Sequence, residues 1–198
     1  MVIPGNHDIG NTGYRFTSDS VEPVPAADPD TFIDIYAEYG YNEAISVDET
    51  SHSYIAKINN KVRVAMVDVN SGSYGTVSID TMDWLEEQLK EAEKDNCLVI
   101  TVSHQNLYQH SPLFGFGYEI NNSSKLTSLY EKFGVKLNLS GHLHIQHIAK
   151  LNYTTDIAVS SLAVSPHQYG ILQIDQKNGM NYSTQSLEVI AEENGKPL

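Results

Sequence analysis

Residues 1–8 read Met-Val-Ile-Pro-Gly-Asn-His-Asp, a short apolar run that breaks at proline and glycine and ends in three polar side chains. That pattern predicts a loop at the carboxyl end of a buried strand, where an amide, an imidazole and a carboxylate leave the core together. Two further stretches repeat it. Residues 97–105, Cys-Leu-Val-Ile-Thr-Val-Ser-His-Gln, carry an apolar run into His104, and residues 135–144, Val-Lys-Leu-Asn-Leu-Ser-Gly-His-Leu-His, carry another into His142 and His144. Histidines at i and i+2 behind a glycine can point to one side of an extended segment, so the two imidazoles can serve one metal each or share a cluster. Imidazole nitrogen with amide or carboxylate oxygen suits zinc, manganese, iron or nickel, and the lack of cysteine ligands argues against a structural zinc knot.

Between these loops the chain alternates helix and strand. Residues 28–41 place Phe32, Ile35, Tyr36 and Tyr39 at helical spacing, with Asp30 or Thr31 as the cap. Residues 51–58 and 62–70 each alternate apolar and polar positions across an Asn-Asn-Lys turn, which predicts a hairpin. Residues 78–95 form the strongest helix, with an N-terminal Ser or Asp cap and Met82, Leu85, Leu89 and Ala92 down one face. A strand (97–104), a long loop (105–121), a helix (123–134), the strand leading to His142, and strands near 145–151, 155–162 and 169–175 follow, and residues 189–198 form an exposed tail. Strands alternating with helices imply a layered α/β sheet, in which chemistry collects at the carboxyl ends of strands. No repeat, low-complexity tract or linker divides the sequence, so residues 1–198 read as a single domain.

Composition narrows the partners. With 198 residues and 40% hydrophobic content the chain is long enough for one substantial core. No apolar stretch approaches the ~20 residues of a spanning helix, and the start lacks the parts of a signal peptide, so the chain as given reads as cytoplasmic. A net charge of −13 argues against a nucleic acid polymer as the main partner. Small phosphate esters remain open, because bound divalent cations reverse the local sign. The lone Cys97 lies in an apolar run and reads as a core residue.

The order Gly-Asn-His-Asp, then a strand ending in histidine, then a strand ending in Gly-His-Leu-His resembles the calcineurin-like metallophosphoesterase superfamily, from Met1 to about Asp175. The resemblance implies a layered α/β/β/α sandwich. Family members carry two earlier motifs, Asp-x-His and Gly-Asp, each at the end of its own strand, and neither is in this sequence. The chain therefore reads as a member missing its first two strands, and should an export signal have lain in that region, an extracytoplasmic location would follow instead.

Carried over residue by residue, the resemblance implies that Asn6, His104 and His142 hold one divalent metal (Mn, Fe or Zn), together with a bridging aspartate from the absent Gly-Asp motif. The other metal of the family's pair keeps only His144. Two ions belong to the complete family site, and one or none is expected here. His7 and Asp8 take the place of the family's histidine that stabilises the transferring phosphoryl group and of its supporting carboxylate, with His7 and Asn6 contacting substrate. Gln105-Asn106 follows His104 where many relatives have a second histidine or a proline.

The implied reaction is hydrolysis of a phosphomonoester or phosphodiester by metal-activated water. The competing expectation is an impaired remnant with half a metal site, acting as a binding module. A homodimer through an exposed sheet edge would offer a route to the absent ligands. His110, in the aromatic loop, reads either as part of a substrate lid or as a solvated loop histidine. His52, His147 and His167 read as structural. Asp68 reads as a turn former with Asn70 and Ser71, and the acidic face with Glu86, Glu87, Glu91 and Glu93 as solvated.

Overall fold

The computed structural model describes residues 1–10, 13–175, 177, 179–188, 192–193 and 196–197. In chain order the elements are β1 (Gly13–Phe16), β2 (Val21–Val24), α1 (Pro29–Tyr36), β3 (Ala44–Val47), β4 (Tyr54–Asn59), β5 (Val62–Val67), α2 (Ile79–Lys94), β6 (Leu98–Ser103), α3 (Ser123–Lys132), β7 (Leu137–Ser140), β8 (His147–Leu151), β9 (Thr154–Ala158), β10 (Gln168–Ile174), β11 (Met180–Ser186), β12 (Glu192–Glu193) and β13 (Lys196–Pro197). A mixed sheet of seven strands in the order β3-β4-β5-β6-β7-β9-β8 forms the centre. Strands β5, β6, β7 and β9 are parallel, and Val67, Ser103, Ser140 and Ala158 lie side by side at their carboxyl ends. The loops that leave this row are the ones in which the sequence placed chemistry. The structure is therefore a mixed α/β fold, as the alternation of elements predicted.

One face of the sheet is covered by α2 and α3, with Leu85, Leu89, Ala92, Leu126 and Tyr130 packed on Ile55, Ala65, Val67 and Val99. The opposite face is covered in two parts. Leu172, Ile174, Met180 and Tyr182 of the β10–β11 hairpin pack on Val62, Ile100, Leu137 and Ile157, while Phe32, Tyr41 and the N-terminal Val2 and Ile3 pack with Tyr54, Val64 and Met66. Since both faces are covered, all six residues of β5 are buried and its apparent apolar–polar alternation has no solvent side. Arg63, buried in β5, is paired with Asp95 just beyond α2.

Several local expectations are corrected. Helix α1 is capped by Asp28, which accepts from the N–H groups of Asp30 and Thr31, rather than by Asp30 or Thr31 themselves. Pro29 explains the shift, because its fixed φ and missing N–H suit the first helical position. Residues 1–5 carry no strand. Among the described residues no strand lies alongside to take their backbone groups, and side chains do so instead: the Tyr54 hydroxyl bonds Val2 and the Asn70 amide donates to the Pro4 carbonyl at 3.2 Å. The β1–β2 hairpin, β3 and β11 were not foreseen. The exposed tail predicted over 189–198 lies mostly outside the described residues, and its described parts pair as β12 and β13.

Candidate metal centre

The Gly5–Asp8 loop sits across the carboxyl ends of the parallel strands. Asp8 does not stand free beside His7: its carboxylate accepts the Gly5 N–H at 2.8 Å and closes the loop into a turn. Asn6 is buried and His7 exposed, so the loop sends its amide inward and its imidazole to the rim. Gly5 lies against the His104 ring, so close that a Cβ there would stand 2.7 Å from Cε1 of His104. Only glycine lets the backbone approach this near.

The β6 and β7 loops are locked to each other through the backbone. The His104 carbonyl accepts the N–H groups of Gly141 and His142 at 3.0 and 2.9 Å, and His144 N–H returns to the Gly141 carbonyl at 3.2 Å. The Gly-His-Leu-His stretch is thereby a tight turn, with His144 at φ 56°, and not the extended segment that spacing suggested. The turn separates its two imidazoles. His142 points inward to His104, while His144 is exposed at the rim.

At the centre of this arrangement, Nε2 of His104 lies 2.8 Å from Oδ1 of Asn6 and 3.0 Å from Nδ1 of His142. Adjacent donor atoms around a six-coordinate ion with bonds of about 2.1 Å stand roughly 3.0 Å apart. The two separations, from His104 to Asn6 and from His104 to His142, match that spacing. The protonation chemistry fits as well. Burial, followed by repulsion from His142, His144 and His7, pushes the His104 pKa down to about 3, and the same two causes lower that of His142, opposed by the Gly117 carbonyl that accepts from its ring. Neutral imidazoles with lone pairs turned to a shared point are what a divalent ion requires, and a backbone carbonyl on the ligand's other ring nitrogen is the usual support.

His7 and His144 lie near enough to His104 to contribute, after burial and His142, to the lowering of its pKa. Among the described residues no group of three or more His, Cys, Asp or Glu is disposed to hold a metal, so the donor set is two imidazoles and one amide with no carboxylate.

A buried layer beneath the centre holds the loops, and sequence reasoning missed most of it. Asn70 and Gln105 exchange amide hydrogen bonds at 3.1 and 2.8 Å, tying the β5 loop to the β6 loop. Asp68 is the turn former expected, accepting the Asn70 and Ser71 N–H groups at 2.8 and 3.3 Å and the Ser71 hydroxyl. Asp156 of β9 is fully buried and accepts from Leu107 N–H at 2.6 Å, His110 at 3.0 Å, Asn138 at 2.9 Å and the Ser140 hydroxyl at 3.0 Å. His110 is accordingly a buried partner of Asp156 and not a solvated loop histidine. The signal available in the sequence was an aspartate within an apolar strand, which only a set of donors would make tolerable.

A family model for calcineurin-like phosphoesterases matches residues 1–146. The chain belongs to that family. Its members are phosphoester hydrolases, and the mixed sheet agrees with a dimetal phosphatase from Danio rerio, 12% identical with a TM-score of 0.57, covering 81% of this chain and 62% of that one. GAP50 of Plasmodium, described as the anchor in the inner membrane complex, is 22% identical over 54% of this chain and 35% of its own, with a TM-score of 0.40. A Staphylococcus aureus protein described as a 5'-nucleotidase, in complex with alpha-ketoglutarate, is 14% identical over 79% of this chain and 32% of its own, with a TM-score of 0.41. The chain thus spans less than two thirds of the length of each of these structures. No curated protein matches its sequence significantly. Among the described residues no helix is long and apolar enough to cross a membrane.

Proposed function

We propose that residues 1–198, as one domain, carry part of the catalytic centre of a metal-dependent hydrolase of small phosphate esters. The observation that carries this reading is that His104 Nε2 lies 2.8 Å from Asn6 Oδ1 and 3.0 Å from His142 Nδ1. These three residues would hold a divalent ion, manganese, iron or zinc, which when bound polarises a phosphoryl oxygen and lowers the pKa of attacking water. His144 is the residue on hand for a second ion. His7, exposed at the rim beside Asn6, would meet the phosphoryl group. Asp8 serves that role indirectly, by fixing the turn that presents Asn6 and His7.

The missing carboxylate favours a second reading, in which the chain binds one ion or none and turns nothing over by itself. A partner copy docked at the sheet edge, whose strand β3 leaves Ile45 and Val47 about half exposed, is a source of the missing ligand that this reading would accommodate.

Elemental analysis of protein purified without chelator and dialysed against manganese or zinc separates the two. Two ions per chain, with hydrolysis of a p-nitrophenyl phosphodiester that His7→Ala impairs, supports the hydrolase reading. One ion, lost in His142→Ala and without turnover, supports the half-centre. No ion under any loading overturns the hydrolase reading and leaves the second in its metal-free form.

A further inference from the structure

A second histidine cluster is built on the loop after β6 and the start of β8. Asp156 Oδ2 accepts from Nε2 of His110 at 3.0 Å, and Nδ1 of His110 faces Nδ1 of His147 at 3.0 Å. The Asp156 and His110 side chains are 0% and 1% exposed, whereas His147 is exposed. His147 begins β8 opposite Ala158, the last residue of β9, and so opens at the end of the sheet that bears His104 and His142, three residues beyond His144.

The hydrogen bonds constrain where protons sit. Asp156 faces four donors, two at each carboxylate oxygen, and so stands as the acceptor in every contact. Nε2 of His110 therefore carries a proton toward it. In the neutral pair Nδ1 of His110 is then an acceptor, so His147 must donate from Nδ1 and leave Nε2 as the free base of an exposed residue. When Nε2 of His147 gains a proton, the Nδ1–H bond of His147 breaks as a new Nδ1–H bond forms on His110. The positive charge comes to rest beside the Asp156 carboxylate and His147 is left neutral; the reverse movement releases one proton at Nε2. No redox partner is needed, and each bond made is matched by one broken.

We infer that Asp156, His110 and His147 form a proton relay whose outer end, Nε2 of His147, exchanges a proton with an oxygen of the ester at the same end of the sheet. The relay follows from this geometry alone, and its service to a phosphoester's departing oxygen rests on the hydrolase reading. The groups around it are few. Glu119 of the long loop approaches His110, and the phenols of Tyr108 and of Tyr130 on α3 lie near Asp156. Burial pushes both phenols up, which removes them as proton carriers at neutral pH.

The test is a titration of the intact, uniformly 15N-labelled chain from about pH 5 to pH 9, followed through the imidazole ring nitrogens. The relay predicts neutral His147 protonated at Nδ1, and a single titration in which Nε2 of His147 and Nδ1 of His110 gain proton character together. His147→Gln, a change at an exposed position, should abolish the response of His110. A His110 signal indifferent to pH while His147 titrates, or His147 protonated at Nε2 at the alkaline end where the pair is neutral, overturns the relay. In turnover, His147→Gln should slow an alkyl phosphate at least about 10-fold more than a p-nitrophenyl phosphate, whose leaving oxygen needs no proton. Equal slowing overturns the role in leaving, and no turnover by the parent chain counts against the hydrolase reading while the titration decides the relay.

Discussion

Two histidine clusters stand at one end of the same sheet, and what lies opposite the imidazoles gives them different chemistry. His104 and His142 face each other and an amide oxygen, with no carboxylate among the described residues. Burial, and after it repulsion from neighbouring imidazoles, disfavours their charged forms and leaves lone pairs that a cation would satisfy. His110 and His147 also face each other, but Asp156 stands behind them with a buried carboxylate. There the charge that an arriving proton brings has a counterion already in place. On the readings proposed above, the first cluster would take a metal and the second a proton.

The largest way to break this contrast is His142→Ala. Removing a ligand that supplies one of three converging atoms should cost more than about 100-fold in metal affinity, beyond the 10- to 100-fold typical of a supporting residue. His147→Ala should leave metal affinity within a few-fold of the parent. Calorimetric titration with manganese checks both, and equal losses would show that the clusters are not distinct.

Asp156→Asn probes the second cluster. Both carboxylate oxygens accept two donors each, so whichever way the amide is turned its NH2 group confronts two N–H or O–H groups. Unfolding in urea should reveal a loss of about 2–3 kcal/mol with an unchanged slope. A loss below about 0.5 kcal/mol would mean that the carboxylate is not the anchor described.

The clusters also differ in what acid does to them. In the metal-free chain His104 is lowered to about 3, first by burial and then by its imidazole neighbours, while an unfolded histidine titrates near 6.5. Between those values the unfolded chain binds more protons than the folded one. This contribution to stability is therefore complete above about pH 6.5 and drains away as the pH falls toward 3. His142 is shifted in the same direction and adds to the slope. The urea midpoint should accordingly fall steadily below about pH 6.5, and less so in His104→Gln; a midpoint that rose on acidification would contradict the buried neutral imidazole.

Much of this was legible in the sequence, and the exceptions share a cause. Long apolar periodicity gave α2, and apolar runs ending in histidine gave β6 and β7, because burial patterns are local. The strand-end positions of Asn6, His104 and His142 were legible from the apolar runs before them, and their grouping was implied by the family resemblance alone. The turn at His144 was not, for it depends on the His104 carbonyl, 37 to 38 residues away, taking two N–H groups of that segment. Asp156 and the Asn70–Gln105 pair were illegible for the same reason, since a buried polar residue reads as a surface one until its distant donors are known. Nor did β1, β2 and β11 announce themselves, being largely exposed and so lacking a clean apolar face.

The smallest expected effect sharpens the comparison most finely, because it leaves every ligand in place. Gly5→Ala sets a methyl group 2.7 Å from Cε1 and 2.9 Å from Nδ1 of His104, closer than carbon and ring atoms tolerate. The ring is held at its backbone by Gly141 and His142, so the strain must appear as a rotation of the imidazole or a shift of the Gly5–Asp8 turn. Either motion opens the 2.8 Å gap between Nε2 and the Asn6 oxygen. Overpacking of this kind costs about 1–2 kcal/mol of stability, and the displaced pair should weaken manganese binding about 10-fold. The His110–His147 titration should not move at all. If it does, the two clusters share one rigid framework through the β6 loop, and the division of labour between metal and proton would have to be redrawn as a single coupled site.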